Sequence, residues 1–419
     1  MAEVGMKNVV AQEQAGKPTL HASPQLGAWL QAVGGSLAFT TYQSGRLFLL
    51  SPADDGQTLA LERILGSAMG LAVGADYLWV ANQQQIWRFA DTGPRELGGR
   101  HYDAVYLPRQ GYLLGGCDAH DILADVQFLG RRHELLFVNT RFSCIAALDA
   151  HYNFRPVWRP GFISALAPED RCHLNGMGQR DGELAFATLC GRYDTAMGWR
   201  EMKSGGGCVV DVPSGETLCS GLSMPHSPRW HDGKLWLLNS GDGDLGYVDA
   251  AGRFNSVYQC PGFARGLCFV DGYAVVGLSK LRPNTFASGL NIKERLESQN
   301  IRETCGLLVI DPRSGKSVHW LTLEGPVTEL YDVAFLPGTT KPYTPGFSEP
   351  DLHRALFRLP ETEFAVSLSE CRRGSERMPG HIQQRCYMPL VFRGLEGIVN
   401  RGEGRNMAVA AIPLRLILD

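Results

Sequence analysis

Six side chains in this sequence, His173, Asn175, His226, Arg265, Asp125 and Asp332, are of the types that grip an anion and move a proton. A guanidinium holds a carboxylate or phosphate through two parallel hydrogen bonds. An imidazole exchanges a proton near neutral pH, and a carboxylate beside it orients the ring or acts as a second acid–base group. On this reading His226 carries the proton and Asp125 or Asp332 orients it or supplies the second acid–base group. Arg265 anchors the anion, while Asn175 and His173 position it. The chemistry would be that of a lyase, isomerase or hydrolase acting on a small anionic metabolite or sugar derivative.

Two other uses of the same residues compete with that one. Asp125 or Asp332 could simply neutralise Arg265 in a polar plug, because charged groups are costly to bury unless they are paired. Alternatively, Asp125, Asn175, His226 and Asp332 form an oxygen-rich set that would suit a divalent metal such as calcium or manganese. Arg265 weighs against the metal, since it already supplies positive charge. No cofactor is otherwise implied.

Residues so far apart in sequence meet only in a fold that returns repeatedly to one axis, and the sequence repeats itself in that way. The stretches from Ser67, Leu123, Cys172, Met224, Phe263 and Tyr331 each open with a short strand and a turn usually rich in Gly or Asp. An apolar strand such as LWV, LLFV, LAFA, LWLL or AVVG follows, and several units run on to a third strand ending in Asp91, Asp149, Asp249 or Asp311. A strand, hairpin and buried strand recurring every ~40–50 residues is the signature of a β-propeller. With SLAFTTYQSGRLFLLSP as an early unit closed by the strand near Tyr331, the count is six blades. The first strand of each blade lines the channel, so equivalent positions form a ring. Registered on the second strands, that ring reads Met69, Asp125, Asn175, His226, Arg265, Asp332. His173 would face the channel one layer away, two residues before Asn175.

The fold class is therefore all-β, with residues 25–345 as the propeller, 1–24 as an N-terminal extension and 346–419 as a tail of unassigned fold. Residues from about Asn284 to Thr304 interrupt a blade with a polar, helix-compatible insertion that would project as a lid or partner surface. GDGDLG at Gly241 to Gly246 mimics a phosphate-binding loop but leads into a strand, so it is a hairpin turn. The Asp242 and Asp244 pair fails as a calcium loop because Arg253 stands where the bidentate Glu belongs. His231 is a turn residue, and Trp199, Trp230 and Trp236 are core.

A net charge of −3 gives no reason to expect nucleic acid. No run of about 18 apolar residues could span a membrane, and the N-terminus lacks the apolar core of a secretory signal. The expected compartment is the cytoplasm. Eleven cysteines without a C-x-x-C pair read there as buried thiols.

Three stretches also resemble a known family: CHLNGM at Cys172, GLSMPHSPRWHDGKLWLLNSGDGDLG from Gly221 and PGFARGLCFVDGYAVVGLSK from Pro261. They resemble the hallmarks of an uncharacterised bacterial family catalogued as a conserved domain of unknown function, over roughly residues 25 to 345. The resemblance implies a propeller-like cytoplasmic protein and transfers no catalytic residue. The partner is therefore a small anionic ligand or, if the propeller is a non-catalytic scaffold, a protein or glycan docked through its rims and the insertion near Lys293.

Overall fold

In the computed structural model, residues 16–282, 288–347 and 356 are described. The chain divides into two units, Met1–Glu349 and Pro350–Asp419, and every element below lies in the first. The tail expected from residue 346 onward falls almost wholly outside the described residues.

Most of the strands fall into six antiparallel meanders of four. From the channel outward, the first is Leu330–Pro337, Gly35–Thr41, Arg46–Pro52 and Thr58–Ile64. The second is Leu71–Val73, Tyr77–Ala81, Gln85–Asp91 and Ala104–Leu113. The third is Ala119–Phe128, Arg131–Asn139, Cys144–Ala147 and Arg155–Trp158, and the fourth is Leu174–Arg180, Glu183–Leu189, Gly207–Asp211 and Thr217–Leu222. The fifth is Pro225–His231, Lys234–Asn239, Asp244–Val248 and Phe254–Gln259. The sixth is Phe263–Val270, Tyr273–Ser279, Gly306–Asp311 and Lys316–Glu324. Each innermost strand neighbours the next in cyclic order, and the sixth returns to the first. That closed ring of radial sheets is a β-propeller.

Closure is made by chain from opposite ends of the body: Leu330–Pro337 pairs with Gly35–Thr41, with Val333 opposite Phe39. A second clasp adds Thr19–Ala22 to the outer edge of the sixth meander, Thr19 opposite Glu324.

The inner hairpins form because their turns carry the residues that such turns demand. Asp181-Gly182, Asp232-Gly233 and Asp271-Gly272 all have positive φ at both positions, the backbone of a two-residue hairpin whose twist matches its strands. The second strands are apolar on both faces because each sheet packs against a neighbour on either side. In the second strand of the first meander, Leu37 and Phe39 thus pack with Val275 of the sixth, while Ala38 packs with Leu78 and Val80 of the second.

The polar insertion carries a helix, Asn291–Ser298. Its Ile292 and Leu296 are buried against Trp199, Met224 and Phe263. Arg295 donates to the Cys260 carbonyl at 2.7 Å and Asn291 to Asp242 at 2.8 Å, so the helix is docked on the propeller instead of projecting from it. Eight of the nine described thiols are buried, Cys268 being partly exposed. Among the described residues no helix is long and apolar enough to cross a membrane.

Candidate functional site

Where the inner strands begin, five of the six carry an irregularity in their pairing. The register shifts between His226 and Arg229, Ala264 and Leu267, Ala119 and Ile122, Leu174 and Gly176, and opposite Thr40 and Thr41. A bulge re-aims the side chains next to it. Here the result is a cluster of imidazoles, an amide, a phenol and a guanidinium at one mouth of the channel.

His226 is buried, 4% exposed. Its Nδ1 lies 2.8 Å from the Met224 carbonyl and 3.1 Å from Ser240 Oγ, and that hydroxyl donates to the Ala264 carbonyl. Nδ1 must then carry the hydrogen, leaving the lone pair on Nε2. Asn175 faces it at 3.4 Å with its amide nitrogen, which also donates to Cys190 Sγ, while its oxygen accepts from Thr188. His120 repeats the pattern: its Nδ1 donates to the Asp118 carbonyl at 2.9 Å, because the nearby Thr140 hydroxyl spends its own hydrogen on the Leu174 carbonyl. His173 gives Nδ1–H to the carboxylate of Asp170 at 2.9 Å and stacks on Trp199, whose indole N–H donates to the same carboxylate. His120 meets the His173 ring edge-on at 5.0 Å and the Tyr331 ring at 5.5 Å. His226 and His120 therefore keep a lone pair on Nε2.

Arg265 is the anomaly of the mouth. It is 5% exposed, its Nε has no hydrogen-bond partner, and no carboxylate pairs with it among the described residues. What surrounds the charge is aromatic: its Cζ stands 5.2 Å from the centre of the Phe263 ring and 4.9 Å from that of Tyr331. The phenol oxygen of Tyr331 is also buried without a partner. A shallow recess reaches Arg265 from outside between Phe263, Ser279, Lys280, Leu281, Arg282 and Glu329. Arg282 is held there by Glu329 through contacts of 2.9 and 2.6 Å.

Burial, then the charge of Arg265, pushes the His226 imidazole well below its ordinary value; burial, then His173, does the same to His120. Both rings are neutral at pH 7. Burial drives the Tyr331 phenol well above its usual range and pulls Arg265 below its own.

A second polar layer lies deeper. Asp121 takes both terminal nitrogens of Arg229, at 3.0 and 3.1 Å, and the Met177 N–H at 3.1 Å. Arg229 Nε donates to the Leu267 carbonyl. Burial opposes the charge on Arg229, but the charge of Asp121 and its hydrogen bonds outweigh burial and hold the guanidinium above its usual value. Asp332 accepts from the Leu71 and Val333 N–H groups at 2.8 and 2.9 Å. Burial, reinforced by Asp121, pushes it up to about 7.

The residues picked from sequence are thus split. His173, Asn175, His226 and Arg265 share the mouth. Asp332 belongs to the deeper layer, and its one-residue neighbour Tyr331 takes the ring position. Asp125 is in neither layer: it sits toward the far end of a ten-residue strand with φ 53° and pairs with exposed Arg132 at 3.1 Å. The ring position of that strand belongs to His120. Neither carboxylate orients His226; a backbone carbonyl does. The metal set Asp125, Asn175, His226 and Asp332 is therefore dispersed, and no group of three or more His, Cys, Asp or Glu among the described residues has the geometry to hold an ion. Sequence reasoning missed His120, Asp121, Asp170, Arg229 and Tyr331. The signal for His120 and Asp121 was the dipeptide at the very start of its strand, hidden by counting back from the turn.

A family model described as Domain of unknown function (DUF4915) matches residues 24–344, in accord with the resemblance drawn from the hallmark stretches. No curated protein matches the chain. Among solved structures, the chain is similar to a chain of the nidogen/laminin complex at 14% identity, covering 73% of this chain and 99% of that one with a TM-score of 0.45. A protein of unknown function from Bacteroides caccae is similar at 12% identity, 72% and 99% coverage and a TM-score of 0.43. A streptogramin B lyase is similar at 12% identity, 73% and 98% coverage and a TM-score of 0.34.

Proposed function

The chain belongs to this family, and we propose that it is a six-bladed propeller enzyme that binds a small anion at the channel mouth and exchanges a proton with it. The observation that carries the reading is Arg265, a buried guanidinium whose Nε lacks an acceptor, beside imidazoles that keep their Nε2 lone pairs. Leaving a buried charge uncompensated costs several kcal/mol, so a bound anion is the natural partner.

Binding and proton transfer are coupled on this reading. After burial, the charge of Arg265 is the main cause holding His226 low. An anion that neutralises Arg265 removes part of that repulsion and makes Nε2 of His226 a better base only when a ligand is present. Asn175 keeps the ring in place from the side, and the Asp170–His173 pair, which meets His120 edge-on, is a second proton carrier at the same mouth.

The test has two readouts. Small anions would be screened by thermal shift against the parent and Arg265→Met, and the hits incubated in D2O with exchange of carbon-bound hydrogen followed by NMR. His226→Gln should keep the anion-induced shift and lose exchange. Exchange that survives in His226→Gln removes His226 from the chemistry, and anions that shift parent and Arg265→Met alike remove the site itself.

A further inference from the structure

Resting on that reading, we propose that the anion is a small monocarboxylate with a hydroxyl on the carbon beside its carboxyl group, held at the carboxylate by Arg265 and at the hydroxyl by Tyr331. Three features of the mouth lead there.

The first is charge. Of the cations near the mouth, Arg282 is paired with Glu329 and Arg141 with Asp118, at 2.6 and 3.0 Å. Lys280, in the wall of the recess, is partly exposed. One buried positive charge therefore lacks a partner, and one carboxylate neutralises it. A phosphate dianion on the same guanidinium would leave a buried negative charge in excess.

The second is shape. Phe263 and Tyr331 stand beside Arg265 with their rings, and neither supplies an acceptor to its Nε. The unpartnered Nε lies on the edge of the fork, and an edge with parallel N–H groups matches the planar carboxylate.

The third is the second orphan. The Tyr331 hydroxyl is buried without a partner, on a ring only 4.9 Å from the Arg265 Cζ. A group it meets on the ligand must therefore sit close to the carboxylate. His120, 5.5 Å from the Tyr331 ring, has its Nδ1–H committed to Asp118 and offers Nε2 as an acceptor. A hydroxyl satisfies both neighbours, accepting from Tyr331 and donating to His120, whereas a methylene satisfies neither.

The probes are lactate, propionate, which lacks only the hydroxyl, and inorganic phosphate, titrated calorimetrically into the full chain at matched ionic strength. The expected order is lactate, then propionate weaker by about tenfold, then phosphate, a single hydrogen bond being worth roughly that factor. Tyr331→Phe should bind lactate and propionate alike. Arg265→Met should bind neither, and Arg265→Lys, which keeps the charge without the fork, should lose at least about tenfold for lactate. Phosphate binding tighter than lactate, or an unchanged lactate preference in Tyr331→Phe, overturns the hydroxy acid while leaving the anion site. Failure of all three probes to bind the parent, or equal binding by Arg265→Met, overturns both.

Discussion

Replacing Arg265 by methionine should make the ligand-free protein more stable, an unusual expectation for a core substitution. Methionine keeps most of the buried stem and its flexibility lets it fill the space between Phe263 and Tyr331. What is lost is an uncompensated guanidinium whose effective burial penalty is several kcal/mol, offset by two ring contacts worth about 1–2 kcal/mol each once desolvated. The balance favours the variant by roughly 1–3 kcal/mol. At about 2.1 cal/mol/K of unfolding entropy per residue, a propeller of this length gains roughly 2–4 °C in Tm. Calorimetric scans in a zwitterionic, low-chloride buffer measure it. Added lactate should then narrow the gap and, near saturation, reverse the order: the parent gains about 1.4 kcal/mol at ten times Kd and about 4.1 kcal/mol at a thousand times Kd, while the variant gains nothing. A variant that melts below the parent without any added anion would refute the reasoning, because Arg265 would then be paying its way structurally.

Stability should also depend on pH in two opposed limbs. Asp332, pushed up to about 7 by burial and then by Asp121, keeps a proton in the folded state that the unfolded chain releases near pH 4. The native state thus binds more protons between those values, and its stability falls as pH rises through them. His120 and His226 act oppositely: held below their ordinary value, they stay neutral where the unfolded chain protonates, so stability is lost as pH falls below about 6.5. Urea unfolding at about pH 5 and pH 8 should show Asp332→Asn relieved of roughly 2–4 kcal/mol of the alkaline loss, and an unchanged pH dependence would sink the assignment. Asp121→Ala should cost about 3 kcal/mol, since it removes the carboxylate that pairs with half-buried Arg229 and accepts from the Met177 N–H, leaving Arg229 Nη2 without an acceptor and Nη1 with only the Met177 and Pro228 carbonyls. A loss under about 1 kcal/mol in the same assay would mean that the deep layer does not hold the channel together.

The propeller was legible because its local requirements are written in residue types. Asp-Gly pairs at 181, 232 and 271 specify tight inner hairpins, and apolar second strands specify sheets covered on both faces. The closing strand near Tyr331 was legible for the same reason. Ring positions were legible only where the strands have like lengths. Asn175, His226 and Arg265 lie on strands of seven or eight residues and were found. The strand Ala119–Phe128 is ten residues long, so counting back from its apolar partner stopped at Asp125 and never reached His120. At Asp332 the miss is a single residue, because the pairing shifts beside Thr40 and Thr41 and puts Tyr331 in the ring. Period-two alternation fails through a bulge, and no residue type announces these bulges in advance.

The deep layer bears on why the mouth needs a ligand. A channel used only as a scaffold has to satisfy its polar groups, and this layer does so across the whole ring. Asp121 of the third meander binds Met177 of the fourth and Arg229 of the fifth, Arg229 reaches Leu267 of the sixth, and Asp332 of the first binds Leu71 of the second. The plug expected from sequence, Arg265 neutralised by Asp125 or Asp332, is not what the channel holds: the paired groups are Asp121 and Arg229, and Arg265 is left over. The same chain that gives Arg229 a bidentate carboxylate leaves Arg265 and Tyr331 with buried, unpartnered donors one layer above. Local conflicts of this kind concentrate at functional sites, where stability is surrendered for an interaction made only with a ligand. On the proposed function, an anion at the mouth is the partner that these two donors lack in the free protein.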